Sequence, residues 1–122
     1  MIEAGELVGS YRHAGNSGTI QLDLRDDKSF TETIIFDDGR RVVRRGTWIP
    51  PTLESPTIAI DGFWMPMEFS PDYINETSRR YPDQPKFTDP GLWVVHPERN
   101  LGTIELSIYP DSNIALRKSL RP

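Results

Sequence analysis

The feature that most constrains the fold is a period-two alternation of apolar residues from Leu7 to Ile49. Alternating apolar and polar residues place the apolar side chains on one face of a β-strand. The alternation breaks at residues that favour tight turns, which join neighbouring strands as antiparallel partners. The clearest breaks are Asp26-Asp27 and Asp37-Asp38-Gly39. The pattern predicts an all-β fold built as an antiparallel meander.

Nine strand candidates follow from this pattern, at residues 7–13, 19–25, 29–36, 41–49, 57–60, 63–69, 92–96, 103–109 and 114–120. An up-and-down barrel needs an even number of strands, because with an odd number the first and last would run parallel. Treating residues 57–69 as one bent strand with a bulge at Asp61-Gly62 gives eight strands. Treating Asp61-Gly62 as a hairpin turn keeps nine and leaves a half-closed roll. We predict a single domain over residues 1–122, a meander that closes into an eight- to nine-stranded barrel.

Residues 70–90 depart from the strand pattern. Ser70 can cap a helix, Pro71 fits its first position, and Asp72 lies near the positive end of the helix dipole. Several prolines follow and prevent regular structure. The sequence predicts one short helix over residues 71–80 inside a long insertion. Insertions of this length are usually functional lids or loops.

The loops of a meander alternate between the two barrel ends. With Asp61-Gly62 counted as a turn, residues 15–18, 37–39 and 98–101 are predicted at one end. The opposite end is predicted to hold residues 26–27, 50–56, 70–90 and 110–113. We expect a ligand or partner to meet this second end, in contact with Trp64 and Tyr73.

The hairpin around Gly39 allows a register prediction. If Gly39 takes the left-handed position of a three-residue loop, Glu32 lies opposite Arg44 on the inward face. The same register collects an apolar face of Phe30, Ile34, Phe36, Val42 and Trp48. A charged pair among aromatic residues is either a ligand anchor inside a barrel or a structural ion pair near a barrel end.

Charge and composition exclude several function classes. The formal net charge is −4 at pH 7, whereas nucleic-acid modules usually carry a basic face, so no nucleic acid is expected as a partner. The chain has no cysteine, which excludes disulfides and thiolate ligands. No apolar run approaches the length of a membrane span, and the N-terminal sequence does not resemble a signal peptide. We therefore expect a soluble cytoplasmic protein with no membrane partner.

Several early motifs resemble the lipocalin-like small bacterial β-barrels of the wider calycin group. The shared residues are Leu7-x-Gly9-x-Tyr11, Asp26-Asp27 before Phe30, and Gly46-Thr47-Trp48. In that group a Gly-x-Trp or Gly-x-Tyr motif starts the first strand, and Tyr11 supplies the aromatic residue here. The resemblance implies an antiparallel barrel that holds a small apolar ligand.

No catalytic constellation emerges from the sequence. His13 and His96 each end a predicted strand, but the two have no spacing typical of a zinc site. We therefore expect no enzyme activity, no catalytic residue, no metal and no cofactor. Trp64 lies in a segment that is apolar on both faces and must be covered twice, by the predicted helix, a ligand or a partner.

Two function classes remain open. The first is a barrel that binds a small apolar ligand without catalysis. The second is a protein-interaction module, such as an acidic cytosolic immunity or inhibitor protein. The candidate ligand-binding residues are Glu32, Arg44, Trp48, Trp64, Tyr73 and Trp93.

Overall fold

A computed structural model of the chain describes residues 2–66, 69, 91–107 and 115–118. The elements are α1 (Ala4–Leu7), β1 (Gly9–Gly15), β2 (Gly18–Leu24), β3 (Ser29–Phe36), β4 (Arg41–Ile49), β5 (Ile58–Phe63), β6 (Gly91–Asn100), β7 (Thr103–Ser107) and β8 (Ala115–Lys118). Each strand pairs with the next in antiparallel fashion, and β1 also pairs with β8, so the sheet closes into a barrel. The predicted all-β meander barrel is confirmed.

The strand count is eight because the chain continues through Asp61-Gly62. The register between β5 and β6 shifts between Asp61 and Phe63, which is the irregularity of a bulge. Gly62 has a φ of +99°, a conformation that residues with a Cβ rarely adopt. The bulge and the count of eight strands are confirmed, and the hairpin turn with nine strands is wrong. The strand ends at Phe63, so the extension predicted to residue 69 is also wrong.

The hairpin between β3 and β4 has the predicted register. Glu32 pairs with Arg44, and Phe30 pairs with Gly46. The Phe36 N–H donates to the Arg40 carbonyl at 2.9 Å, and the Gly39 N–H donates to the Phe36 carbonyl at 3.0 Å. Gly39 has a φ of +93°, so the three-residue loop is closed by the left-handed glycine that the sequence predicts.

Strand β6 is longer than predicted, because it continues through Pro97 to Asn100. Strand β5 pairs with β6 only as far as Val95, whereas β7 pairs with Pro97 through Leu106. At Pro97 the described strands therefore flank β6 on one side only, and a residue without an N–H is tolerated there. The hairpin then turns at residues 101–102.

The helices also differ from the sequence prediction. The helix predicted over residues 71–80 lies outside the described residues. Helix α1 was not predicted, because four residues are too few to show helical periodicity. At its N-terminus the side chain of Glu6 accepts from the Glu3 N–H at 3.2 Å, and the Glu6 N–H donates to the Glu3 carbonyl at 3.1 Å.

The predicted distribution of loops between the barrel ends is wrong from Asp61-Gly62 onward. Because the chain does not turn there, each later connection leaves from the end opposite to the predicted one. The connection that follows β5 leaves the barrel at the end where residues 16–17 and 37–40 lie. The Asp37 N–H donates to the Ser17 carbonyl at 2.9 Å at this end, which we call the Trp64 end. Helix α1 and residues 25–28 lie at the other end, the α1 end.

The barrel interior is occupied by apolar side chains from every strand. Glu32 is the one buried polar or charged residue among the described residues. The buried hydrophobic residues are Ile2, Leu7, Tyr11, Ile20, Leu22, Leu24, Phe30, Ile34, Phe36, Trp48, Ile58, Ile60, Phe63, Met65, Phe69, Trp93, Val95, Ile104, Leu106 and Leu116. Burial of this apolar set is the main force that stabilises the barrel.

Candidate functional site

The candidate site, which we call the Glu32 site, consists of Glu32, Arg44, Gly62 and Trp64. Strand β4 pairs with β5 only through Thr47–Ile49, so residues 41–46 form no strand pairs with β5. The chain after β5 passes this unpaired stretch, and its first residue, Trp64, approaches Glu32 on the inner face of β3. The bulge at residues 61–62 is what redirects the chain here.

Glu32 is completely buried, with an exposed fraction of 0%. The Trp64 N–H donates to Oε1 of Glu32 at 2.9 Å. The second oxygen, Oε2, is also buried and has no hydrogen-bond partner among the described residues. Buried polar atoms in folded proteins are almost always hydrogen-bonded, so an unpartnered carboxyl oxygen calls for an explanation.

Burial raises the pKa of Glu32 from an ordinary value of 4.5 to about 8, because the anion is poorly solvated among apolar neighbours. The Trp64 N–H and the positive charge of Arg44 act in the opposite direction and lower the pKa, but they do not offset the burial. At pH 7 the carboxyl group is therefore mostly protonated. In this neutral form Oε2 is the oxygen that holds the hydrogen, since Oε1 accepts from Trp64.

Arg44 lies opposite Glu32 in the register of β3 and β4, but the side chains of the two residues form no ion pair. Its Nε donates to the Gly62 carbonyl at 3.2 Å, and no ion pair joins the two side chains within the described residues. The predicted opposition of the two residues is thus confirmed, while the structural ion pair is not formed. Each side chain instead binds a backbone atom at the end of β5.

The inward residues of β4 differ in exposure from those of the preceding strands. On β3 the inward residues from Phe30 to Phe36 are all buried. On β4, Val42 and Arg44 face inward but are only half-buried. The inner face is therefore less completely covered along the first half of β4 than along β3, next to the buried carboxyl of Glu32.

Aromatic rings surround the same end of the barrel. The half-buried ring of Trp64 lies edge-on to Phe36, with centroids 6.3 Å apart. The ring centroids of Phe36 and Phe69 are 6.0 Å apart, and those of Phe69 and His13 are 6.3 Å apart. Met65 is completely buried, so the chain just after β5 covers part of the Trp64 end.

The structure brings together three of the six sequence-predicted site residues, Glu32, Arg44 and Trp64. Trp48 is buried toward the α1 end, where its Nε1 donates to the Arg25 carbonyl at 3.0 Å. Trp93 packs edge-on against Phe63 at 5.7 Å and is almost fully buried. Tyr73 lies outside the described residues.

Sequence reasoning missed the backbone of residues 62–64 as part of the site. The Trp64 N–H and the Gly62 carbonyl bind the two charged side chains, although neither residue type suggests a polar role. The one available signal was the Asp61-Gly62 pair, which was compatible with a bulge but did not show where the following amide would point.

Two other titratable residues of the described strands, Tyr11 and His96, are not part of the Glu32 site. The hydroxyl of Tyr11 donates to the Leu7 carbonyl at 2.7 Å, and burial raises the pKa of Tyr11. His96 is exposed on β6. Among the described residues, no three side chains of the metal-ligating types lie together. The described part of the chain contains no helix long and apolar enough to cross a membrane.

The fold and the site together define an eight-stranded antiparallel meander barrel with a buried, partly unsatisfied carboxyl group on its inner face. No protein-family model matches the chain, and neither a curated protein nor a solved structure matches it. The resemblance to lipocalin-like barrels therefore holds at the level of a closed antiparallel meander.

Proposed function

We propose that the protein binds a small apolar ligand without catalysis, with the ligand held at the Glu32 site beneath the Trp64 end. The observation that carries the proposal is the buried, unpartnered Oε2 of Glu32. A polar atom without a partner costs about 1–3 kcal/mol in an interior, and a bound ligand can offset that cost.

Two further observations support the same location. The inward side chains of Val42 and Arg44 are half-buried, which leaves an approach to the inner face beside Glu32. The half-buried ring of Trp64 adjoins Phe36, so an apolar ligand would find an aromatic surface next to a polar anchor. Binding sites for small molecules commonly combine an apolar lining with a few placed polar groups.

A fluorescence titration with the neutral apolar probe N-phenyl-1-naphthylamine tests the proposal. The folded protein should bind one molecule, and Trp64→Ala should weaken binding by about tenfold, since it removes an aromatic contact surface. The matched control is Leu53→Ala, because Leu53 is 93% exposed on a loop at the α1 end. Urea unfolding of both variants checks that they fold.

The proposal fails if the folded protein does not bind the probe. It also fails if Trp64→Ala and Leu53→Ala bind the probe with the same affinity as the original chain. The first result would show that the barrel interior is closed core, and the second would show that the probe binds away from Trp64.

A second candidate function, protein interaction, is favoured by an apolar row on the outer face. Ile49, Ala59 and Val94 are paired in register across β4, β5 and β6, and Leu92 lies two residues from Val94. Ile49, Leu92 and Val94 are each more than half exposed. If the protein copurifies with a defined partner, Val94→Asp should release that partner while probe binding at the Glu32 site is unchanged.

A further inference from the structure

The unpartnered carboxyl oxygen of Glu32 constrains the chemistry of the ligand as well as its location. Oε1 already accepts the Trp64 N–H, so only Oε2 is available to a ligand. Oε2 carries the hydrogen of the neutral carboxyl group at pH 7, because burial keeps the pKa of Glu32 near 8. The group that the site offers is therefore a hydrogen-bond donor that lacks an acceptor.

Arg44 offers donors on the adjacent strand. Its Nε is used by the Gly62 carbonyl, and its terminal amino groups donate to none of the described residues. Arg44 is half-buried and lies opposite Glu32 in the strand register, and its charge acts on the Glu32 carboxyl and lowers its pKa. A neutral Glu32 beside a charged Arg44 gives the site a net positive charge, which disfavours a cationic ligand.

Among the described residues, strand β2 brings no charged side chain to the inner face beside Glu32. The inward residues of β2 that flank Glu32 are Ile20, Leu22 and Leu24, and all are apolar. The other titratable inward side chains nearby are Tyr11 and His13 on β1. The Tyr11 hydroxyl is already bonded to the Leu7 carbonyl, and His13 lies against Phe69.

We propose that the ligand carries an oxygen acceptor, a carbonyl or carboxylate group, that receives the Oε2 hydrogen of Glu32 and an N–H of Arg44. The apolar body of the ligand then lies against Trp64. The proposal rests on the proposed function, because it assigns the head group of the ligand that this function requires. It excludes organic cations as ligands, although a buried acidic residue alone would suggest them.

Four naphthalene probes of similar size test the assignment: 2-ethylnaphthalene, 2-acetylnaphthalene, 2-naphthoate and 2-naphthylmethylammonium. Affinities are measured by tryptophan fluorescence and native mass spectrometry at pH 6.5. At least one of the two oxygen-bearing probes should bind about tenfold more tightly than the hydrocarbon, the usual gain when a buried donor acquires an acceptor. The ammonium probe should bind more weakly than the hydrocarbon. The carbonyl and carboxylate probes show which acceptor the site prefers.

Two variants test whether the preference for an oxygen-bearing probe depends on Glu32. Glu32→Leu removes the donor, so 2-acetylnaphthalene should fall to the affinity of 2-ethylnaphthalene. Glu32→Gln keeps an oxygen for the Trp64 N–H and an amide donor for the ligand, so it should make the preference independent of pH. In the original chain the preference for 2-acetylnaphthalene should fall by about tenfold between pH 6.5 and 9.5, as Glu32 loses its proton.

The outcomes separate the two proposals. If all four probes bind with equal affinity, the barrel binds ligands but the head-group assignment is wrong. If the ammonium probe binds most tightly, an ionised Glu32 is the anchor and the assignment is again wrong. If no probe binds, the proposed function fails together with the assignment.

Discussion

The carboxyl group of Glu32 should make the stability of the barrel strongly dependent on pH. Its pKa is about 8 in the folded chain, whereas a solvated glutamate in the unfolded chain has the ordinary value of 4.5. The folded state therefore holds the proton over an interval of about 3.5 pH units in which the unfolded state has released it. At about 1.4 kcal/mol per pH unit, this amounts to about 5 kcal/mol.

The sign follows from which state binds the proton more tightly. Below about pH 4.5 both states are protonated, and the contribution of Glu32 to stability is fully present. As the pH rises toward 8, the unfolded chain ionises while the folded chain does not, so the free energy of unfolding falls. Above about pH 8 both states are ionised and the loss is complete. A loss of this size is a large part of the total stability of a domain, which is about 5–15 kcal/mol.

Urea unfolding of the original chain and of Glu32→Gln, followed by tryptophan fluorescence at each pH from 5 to 9, measures this contribution. Glutamine keeps the volume and an acceptor for the Trp64 N–H but does not titrate. The difference in unfolding free energy between the two proteins should therefore change by several kcal/mol between pH 5 and 8, in favour of the variant at high pH. Carboxyl groups with a lowered pKa, such as Glu6 and Glu105, lose their contribution only in more acidic solution, so they do not affect this interval.

Parallel stability curves for the two proteins would refute the reasoning. They would show that the Glu32 carboxyl titrates as a solvated group, because water reaches it or because Arg44 pairs with it in solution. The pH at which the difference curve levels off on the alkaline side reports the folded pKa of Glu32, independently of any ligand.

The remaining predictions concern packing. Trp48→Ala should lower the free energy of unfolding by about 3–5 kcal/mol in urea denaturation, because Trp48 is 1% exposed in the core. Gly46→Ala should cost at least about 1–3 kcal/mol in the same assay, because the added Cβ would lie 2.1 Å from the Asp61 carbonyl oxygen, a backbone atom. Arg117→Ala should change stability by less than about 1 kcal/mol, because its ion pair with Glu105 lies on the outer surface and Arg117 is 63% exposed; a change above 2 kcal/mol would contradict this.

The sequence predicted those parts of the fold that depend on local patterns. Period-two alternation and Gly39 together determine the register of β3 and β4, because a slip of one residue would move Phe30 and Ile34 to the solvent face. The residue types at Asp61-Gly62 are compatible with both a turn and a bulge. Alternation alone therefore could not decide between nine strands and eight. That single ambiguity also put the long connection at the wrong end of the barrel.

Only the part of the site that lies within the β3–β4 hairpin could be predicted from the sequence. The opposition of Glu32 and Arg44 follows from the hairpin register, which is a property of two adjacent strands. The contact between the Trp64 N–H and Glu32 joins residues 32 positions apart. It depends on the path of the chain after a bulge, where no periodic pattern constrains the backbone. The sequence could therefore place the carboxyl group inside the barrel but could not identify its partner.

The stability experiment and the ligand experiment depend on the same proton. An amide at position 32 would satisfy the Trp64 N–H equally well, so the fold has no need of a carboxyl group there. What the carboxyl group adds is a donor at Oε2 that is present below about pH 8 and absent above it. A ligand that accepts this hydrogen binds the protonated form more tightly than the ionised form, so by linkage it must also raise the pH at which the folded chain releases the proton. The two measurements must consequently agree: if the stability difference shows no titration near pH 8, the preference for an oxygen acceptor cannot decline there either.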